Sequence, residues 1–199
     1  IEARVSPLRG RILARDGTVL ADNRIAWDLM YRGGQIDHWD KLKYLLKLTD
    51  FPVDPDLSDP EQAAFGSIAA YNIPDDLVSA IEELVAGQAS VYLRERLERT
   101  YPTNLAAQVI GYTTEAKGRF EGYALSELVG VMGIEASFQK DLFGIPGGMD
   151  VQVDNHNTIL HSRVTQEAIP GQDITLTIDP KIQRMAEDVL KNALPYING

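Results

Sequence analysis

Ser137 and Lys140 stand three positions apart in the run Ser137-Phe138-Gln139-Lys140. On a helix that spacing stacks a hydroxyl and an amine one turn apart. The amine can then take the hydroxyl proton, and the oxygen can attack an acyl carbon. Such chemistry also requires an S-x-N element and a K-[ST]-G strand, for a second proton carrier and the oxyanion side. Neither pattern occurs in this chain. Ser137 and Lys140 therefore read as surface positions on a helix whose buried face is Ile134, Phe138 and Leu142. The alternative, a small serine acylase using Ser137 and Lys140, rests on those two residues alone.

The three histidines are His38, His156 and His161, with Asp154 close to the last two. A zinc site needs at least three converging ligands. A gap of five between His156 and His161 matches neither one helix face nor one strand face. Gly144-Ile145-Pro146-Gly147-Gly148 is glycine-rich, but no Lys-Ser or Lys-Thr follows it, so it is a turn rather than a phosphate loop. Asp75 and Asp76 fall in a first helical turn, where negative charge suits the dipole. No catalytic, cofactor-binding or metal-ligating residue is assigned, and no cofactor is expected.

The elements that would carry these residues belong to a chain of 199 residues with formal net charge −10 and 44% hydrophobic residues. That hydrophobic share is enough for a real core. The acidic balance argues against nucleic acid, whose binders show a basic stripe. The first fifteen residues differ, with Arg4, Arg9, Arg11 and Arg15 against Glu2 alone. A nearby membrane would lie at that end. Absence of cysteine excludes disulfides and thiolate metal sites. No apolar run reaches the roughly 18–20 residues that span a bilayer. The chain opens on Ile1 and closes on Asn198-Gly199, so both ends read as cut from something longer.

The periodicities predict a mixed α+β chain. Asp16-Gly17 marks a two-residue hairpin turn, with Ala14 opposite Val19 and Leu13 opposite Leu20. Residues 25–31 supply a third strand. Residues 37–48 form an amphipathic helix with Trp39, Leu42 and Leu46 on one face. Residues 50–60 are loop, and Asp59-Pro60 starts a helix. Another helix runs over 74–86 with Leu77, Ile81, Leu84 and Val85 buried. A strand over 89–99 turns its long charged side chains outward, and a short helix covers 103–110. Residues 113–128 read as a long mobile loop. A helix follows from Ile134 to Leu142, then strands at 149–153, 158–165 and 173–178. Asp179-Pro180 opens a last helix, apolar at Ile182, Met185, Ala186, Val189 and Leu190, ending at Leu194-Pro195. Residues 1–36 and 111–199 would form a β-rich lobe from both chain ends. Residues 37–110 would be an inserted, mostly helical lobe that hinges against it.

Four segments together resemble class B penicillin-binding proteins. They are Pro7-Leu8-Arg9-Gly10-Arg11-Ile12 with Arg15-Asp16-Gly17 and Leu20-Ala21, and then Arg99-Thr100-Tyr101-Pro102 with Ala106-Ala107 and Gly111-Tyr112. Next come Gly133-Ile134-Glu135 with Phe138, Leu142 and Gly144. The last is Pro170-Gly171-Gln172-Asp173-Ile174 with Leu176-Thr177-Ile178-Asp179, Gln183, Ala186 and Glu187. The resemblance covers both ends well and the helical middle poorly.

It implies a non-catalytic pedestal module on the periplasmic side of the bacterial membrane, anchored by a single upstream helix and followed by a D,D-transpeptidase domain. The module would contact a SEDS-type (RodA-type) glycan polymerase and other elongation-complex proteins in peptidoglycan synthesis and cell-shape maintenance. The spacings resemble the elongation type more than the division (septal) type. No catalytic residue carries over. Arg9, Gly10, Asp16, Gly17, Gly133, Glu135, Gly171, Asp173 and Asp179 are expected in structural roles, with Arg9 and Glu135 as a buried ion pair. Trp39 and Leu84 are expected partner contacts on the helical lobe.

Overall fold

The computed structural model describes residues 2–153 and 159–197. The fold is α+β, with two cores strung along one long strand. Strand β1 is Glu2–Val5, β2 is Ile12–Leu13 and β3 is Val19–Tyr31. β3 is continuous, so residues 25–31 extend the hairpin's second strand and do not form a third. The β2–β3 turn also differs from expectation: Leu13 pairs with Val19, not Leu20. Gly17 donates its N–H to the Ala14 carbonyl at 3.0 Å, and Ala14 donates to the Thr18 carbonyl at 2.8 Å. Of the Asp16-Gly17 pair only Gly17 has positive φ, at 85°. This is a three-residue loop with a bulge, whereas a two-residue turn of the expected type needs positive φ at both residues. The Asp16 carboxylate accepts the Thr18 N–H at 3.0 Å and favours the longer loop.

Helix α1 (Trp39–Leu46), helix α2 (Pro60–Phe65), strand β4 (Ser67–Ala70), helix α3 (Asp75–Val85) and strand β5 (Val91–Thr100) complete the head. β5 pairs with β3 over ten residues, from Asp22↔Thr100 to Tyr31↔Val91. α1 and α3 cover one face of this sheet. Their apolar stripes meet Leu29, Tyr31, Ile36, Ile73 and Val91 around buried Leu42 and Ile81. Trp39 and Leu84, expected as partner contacts, are half-buried against this core.

The second core joins both chain ends. Ile12, Ala14, Leu20 and Ala21 pack with Leu105, Ala106, Ile110 and Leu142. Leu105, Ala106 and Ile110 thus serve the terminal core, although they lie within 37–110. Helix α4 is only Ala107–Ile110, shorter than expected, because Ala106 is left-handed at φ 52°. Residues 113–128 are not one long loop. Strand β6 (Thr113–Glu115) pairs with β7 (Leu128–Gly130), and the Ala116 and Lys117 N–H groups donate to the Glu127 and Leu125 carbonyls.

The expected 134–142 helix is two pieces, α5 (Gly133–Ser137) and α6 (Gln139–Phe143), broken at Phe138. Strands β8 (Gly147–Val153) and β9 (Ile159–Gln166) pair as expected, with β1 on the other side of β8. β10 is only Ile174–Thr175, parallel to β2. Helix α7, Pro180–Ile197, runs past Leu194-Pro195. Among the described residues, no helix is long and apolar enough to cross a membrane.

Candidate functional site

The most heavily bonded polar site lies where three distant segments cross. Arg9 follows β1, Arg99 ends β5 and Glu135 sits in α5. All three are buried, at 4%, 7% and 0% exposure. Arg9 donates through Nε to Glu135 Oε2 at 2.7 Å and through Nη2 to the Glu135 carbonyl at 2.8 Å. Arg99 donates through Nε to Glu135 Oε1, also at 2.7 Å. One buried carboxylate therefore holds two guanidinium groups, each through a charge-assisted bond. Burial pulls Arg9 below the usual arginine pKa, and Glu135 opposes that pull. Burial, then the Glu135 charge, raises the Tyr101 phenol.

Neutral groups finish the junction. Asn23 accepts from Arg99 Nη1 at 3.1 Å and donates to the Arg9 carbonyl at 2.6 Å. Gln139 Oε1 accepts from Arg9 Nη1 and from the Gly130 N–H, both at 2.8 Å. Its Nε2 donates to the Tyr123 hydroxyl at 3.2 Å, and Tyr123 stacks edge-on against Phe143. Within the Ser-Phe-Gln-Lys run it is thus Gln139 that is engaged, while Ser137 and Lys140 are exposed.

The remaining predicted structural residues knit the two chain ends beside this junction. Gly10 donates to the Leu142 carbonyl, and Gly171 to the Leu8 carbonyl, each at 2.8 Å. A Cβ on Gly10 would strike the Gln172 carbonyl, and one on Gly171 the Leu142 carbonyl. Asp173 accepts the Arg11 N–H and Arg11 Nη2, both at 2.7 Å. These bonds, the guanidinium's first, hold Asp173 below the usual carboxylate pKa. Gly133 has φ 63°, and its Cα faces the Val109 carbonyl. Asp179 caps α7 by accepting the Lys181 N–H at 3.0 Å.

Two acidic anchors, Asp28 and Glu127, have no counterpart in the sequence reading, and a third, Glu187, entered it only within the family resemblance. Asp28, fully buried in β3, accepts Arg96 Nε at 2.8 Å, with Arg94 at 3.5 Å. Burial disfavours its charge, but the Arg96 and Asn72 hydrogen bonds win, and its pKa is lowered. Arg94 and Arg96 thus turn inward, contrary to the expected outward face. Glu127, 1% exposed, accepts Arg4 Nε and the Ala124 N–H, both at 2.8 Å, and fastens the start of the chain to the turn before β7. Glu187 of α7 accepts the Ala106 N–H at 2.8 Å. The sequence shows only that Arg94 and Arg96 share a strand face; the β3–β5 register, which sets Asp28 directly opposite Arg94, comes from the fold.

A cleft of ≈340 Å³ opens between the head sheet and the β6–β7 hairpin, lined in part by Tyr71, Arg96, Arg99 and Glu115. Arg96 and Glu115 approach to 3.9 Å across it. Among the described residues, no group of three His, Cys, Asp or Glu side chains is placed to hold a metal. Asp154 and His156 lie outside the described residues, and His161 is exposed. The site's chemistry is cohesive: it ties three segments together and presents no activated nucleophile.

A model of the penicillin-binding protein dimerisation domain matches residues 4–176. The peptidoglycan D,D-transpeptidase MrdA of Salmonella typhimurium is 30% identical over 206 residues, covering 94% of this chain and 33% of that protein. The Escherichia coli transpeptidase FtsI is 25% identical over 201 residues, covering 96% and 32%. A chain from a peptidoglycan synthase complex, solved to show coordination of polymerization and crosslinking, superposes with TM-score 0.76 at 37% identity, covering 100% of this chain and 33% of that one. Helicobacter pylori PBP2 in complex with MreC shares the fold, with TM-score 0.70 at 21% identity over 96% and 38%. This chain spans about one third of the length of its curated relatives. With more than half its residues matched in order, it belongs to the penicillin-binding protein dimerisation-domain family.

Proposed function

We propose that this chain is the non-catalytic pedestal of a class B penicillin-binding protein in peptidoglycan synthesis. It sits on the extracytoplasmic side of the membrane below a helical anchor and positions a D,D-transpeptidase domain. The observation that carries this reading is the lock between the chain ends. Leu8 and Gly10 bond to Gly171 and Leu142, Arg11 grips Asp173, and β2 pairs with β10. Whatever precedes residue 2 and whatever follows α7 are thereby held in one fixed relation. A spacer that transmits position needs such a lock, and a flexible linker lacks it.

The pedestal would also contact a SEDS-type glycan polymerase, a reading supported by the similarity to a chain of a peptidoglycan synthase complex. The motif spacings favour an elongation-type role over a septal one; identity does not separate them, since the MrdA and FtsI of Escherichia coli are each 25% identical to this chain. The head lobe would move against the terminal lobe and offer contacts around Trp39 and Leu84. Its exposed apolar side chains Tyr44, Val53 and Leu57 suit that use. A photocrosslinking scan in native membranes tests the proposal, with probes at Leu8, Tyr44, Leu84 and Phe120 of the membrane-anchored protein. Crosslinks to a multispanning glycan polymerase are expected. No crosslink to any envelope-synthesis protein, with expression confirmed, would remove the scaffold role.

A further inference from the structure

The cleft of ≈340 Å³ between the head sheet and the β6–β7 hairpin continues into a second of ≈270 Å³, and Ile68, Tyr71 and Lys117 line both. Tyr71 stands at the join, 67% exposed. The next residue fixes its place. The Asn72 N–H donates to Asp28 at 3.0 Å, and Asn72 Oδ1 accepts from Arg96 Nη2 at 3.0 Å. An aromatic ring held in the open, midway along a groove, is a platform for stacking.

The first cleft is charged. Arg99 lines it, and Arg99 belongs to the junction where it shares Glu135 with Arg9. Two guanidinium groups against one carboxylate leave that buried junction with an excess positive charge, and Arg99 Nη2 finds no acceptor among the described residues. Excess charge out of water calls for a counter-ion. The acids of the cleft are already engaged. Glu98 is paired with Arg24, and Glu115 lies 3.9 Å from Arg96 and 3.8 Å from Lys117. Beyond Tyr71 the lining turns to the Ser67 hydroxyl and the Gln62 amide, with Asp59 beside them. That end suits neutral hydroxyls and amides rather than a second anion.

We infer that this groove binds uncrosslinked peptidoglycan, with a carboxylate of the stem peptide toward Arg99 and Lys117 and a sugar ring on Tyr71. The inference rests on the pedestal reading for its ligand and adds the surface. Peptidoglycan is a glycan of N-acetylated sugars bearing short peptides with carboxylates. One repeat unit therefore offers an anion, a ring face and a run of hydroxyls and amides. A phosphate-rich polymer would bring negative charge to the second cleft, where Asp59 stands. A peptide alone would leave the Tyr71 ring without a sugar face to stack on.

Both hydrophobic cores lie within this chain, so it is titrated by itself in a calorimeter. The probes are the disaccharide pentapeptide of peptidoglycan, the same disaccharide without peptide, and the free pentapeptide. The disaccharide pentapeptide should bind saturably and more tightly than either part. Tyr71→Ala and Lys117→Ala should each weaken it about three- to ten-fold with Tm unchanged. Tyr44→Ala, on the head and 82% exposed, should leave it unchanged. Free pentapeptide that binds as tightly as the whole unit would make the groove a site for acidic protein segments. Peptide-free disaccharide that binds as tightly would remove the carboxylate. Either result overturns the inference, as does a failure to saturate at millimolar probe, or binding that Tyr71→Ala and Lys117→Ala leave unchanged. The polymerase crosslinks of the membrane-anchored protein are read separately. Crosslinks without probe binding overturn this inference and leave the pedestal reading standing. Probe binding without crosslinks removes the pedestal reading and keeps the groove as a peptidoglycan site.

Discussion

Arg9 and Glu135 are 126 residues apart in the chain and 2.7 Å apart in the fold. Neither side chain is more than 3% exposed. Arg99 bonds the other oxygen of the same carboxylate, so the segment after β1, the end of β5 and the start of α5 meet at one charge.

Glu135→Gln should therefore be costly. It leaves two buried guanidinium groups without a counter-charge, and breaking such a group from one side costs about 3–5 kcal/mol. Urea denaturation should show the midpoint falling with an unchanged slope. Replacing all three residues with apolar side chains of similar volume should recover much of the loss. An unchanged midpoint for Glu135→Gln would mean that water has access to the junction.

Gly171→Ala should destabilise through backbone collision rather than lost contact. The new methyl would press on the Leu142 carbonyl, the group that accepts the Gly10 N–H. Overpacking of this kind costs about 1–3 kcal/mol. Hydrogen exchange should rise at Gly10 and Ile174, which hold the two chain ends together, and stay unchanged at Ile73 in the head. Uniform acceleration everywhere would show that the lock is not a local unit.

Acid should weaken the fold. The pKa values of Asp28, Asp173 and Glu187 are all lowered, so each binds fewer protons folded than unfolded. Their contribution is complete above the unfolded values, about 3.9 for Asp and 4.3 for Glu. It is lost as pH falls through the lower folded values. Thermal melts between pH 7 and pH 2 should show Tm dropping below about pH 4. The drop should be smaller in Asp28→Asn, which is already destabilised at neutral pH.

Ser137→Ala and Lys140→Ala should each change stability by less than about 0.5 kcal/mol, as exposed positions away from special contacts do. Incubated with a labelled penicillin, this chain should form no covalent adduct. An adduct lost in Ser137→Ala would establish an acylase. Gln139→Leu, one position away, should cost about 1–3 kcal/mol by leaving the Gly130 N–H and an Arg9 N–H without an acceptor.

Local signals in the sequence were enough to determine much of this protein. Amphipathic spacing marked α1 and α3, and the Asp-Pro pairs marked the starts of α2 and α7. Each depends on residues within a turn or two of one another, so the chain carries the information locally. Only the tertiary structure decided what the charges do. That Arg99 shares Glu135 with Arg9, that Asp28 turns Arg94 and Arg96 inward, and that Glu127 holds Arg4 all depend on pairings 36 to 126 residues apart. A charged side chain looks the same in sequence whether water or a buried partner surrounds it. The difference lies in desolvation and in the geometry of the partner, and both exist only after the distant segments have met.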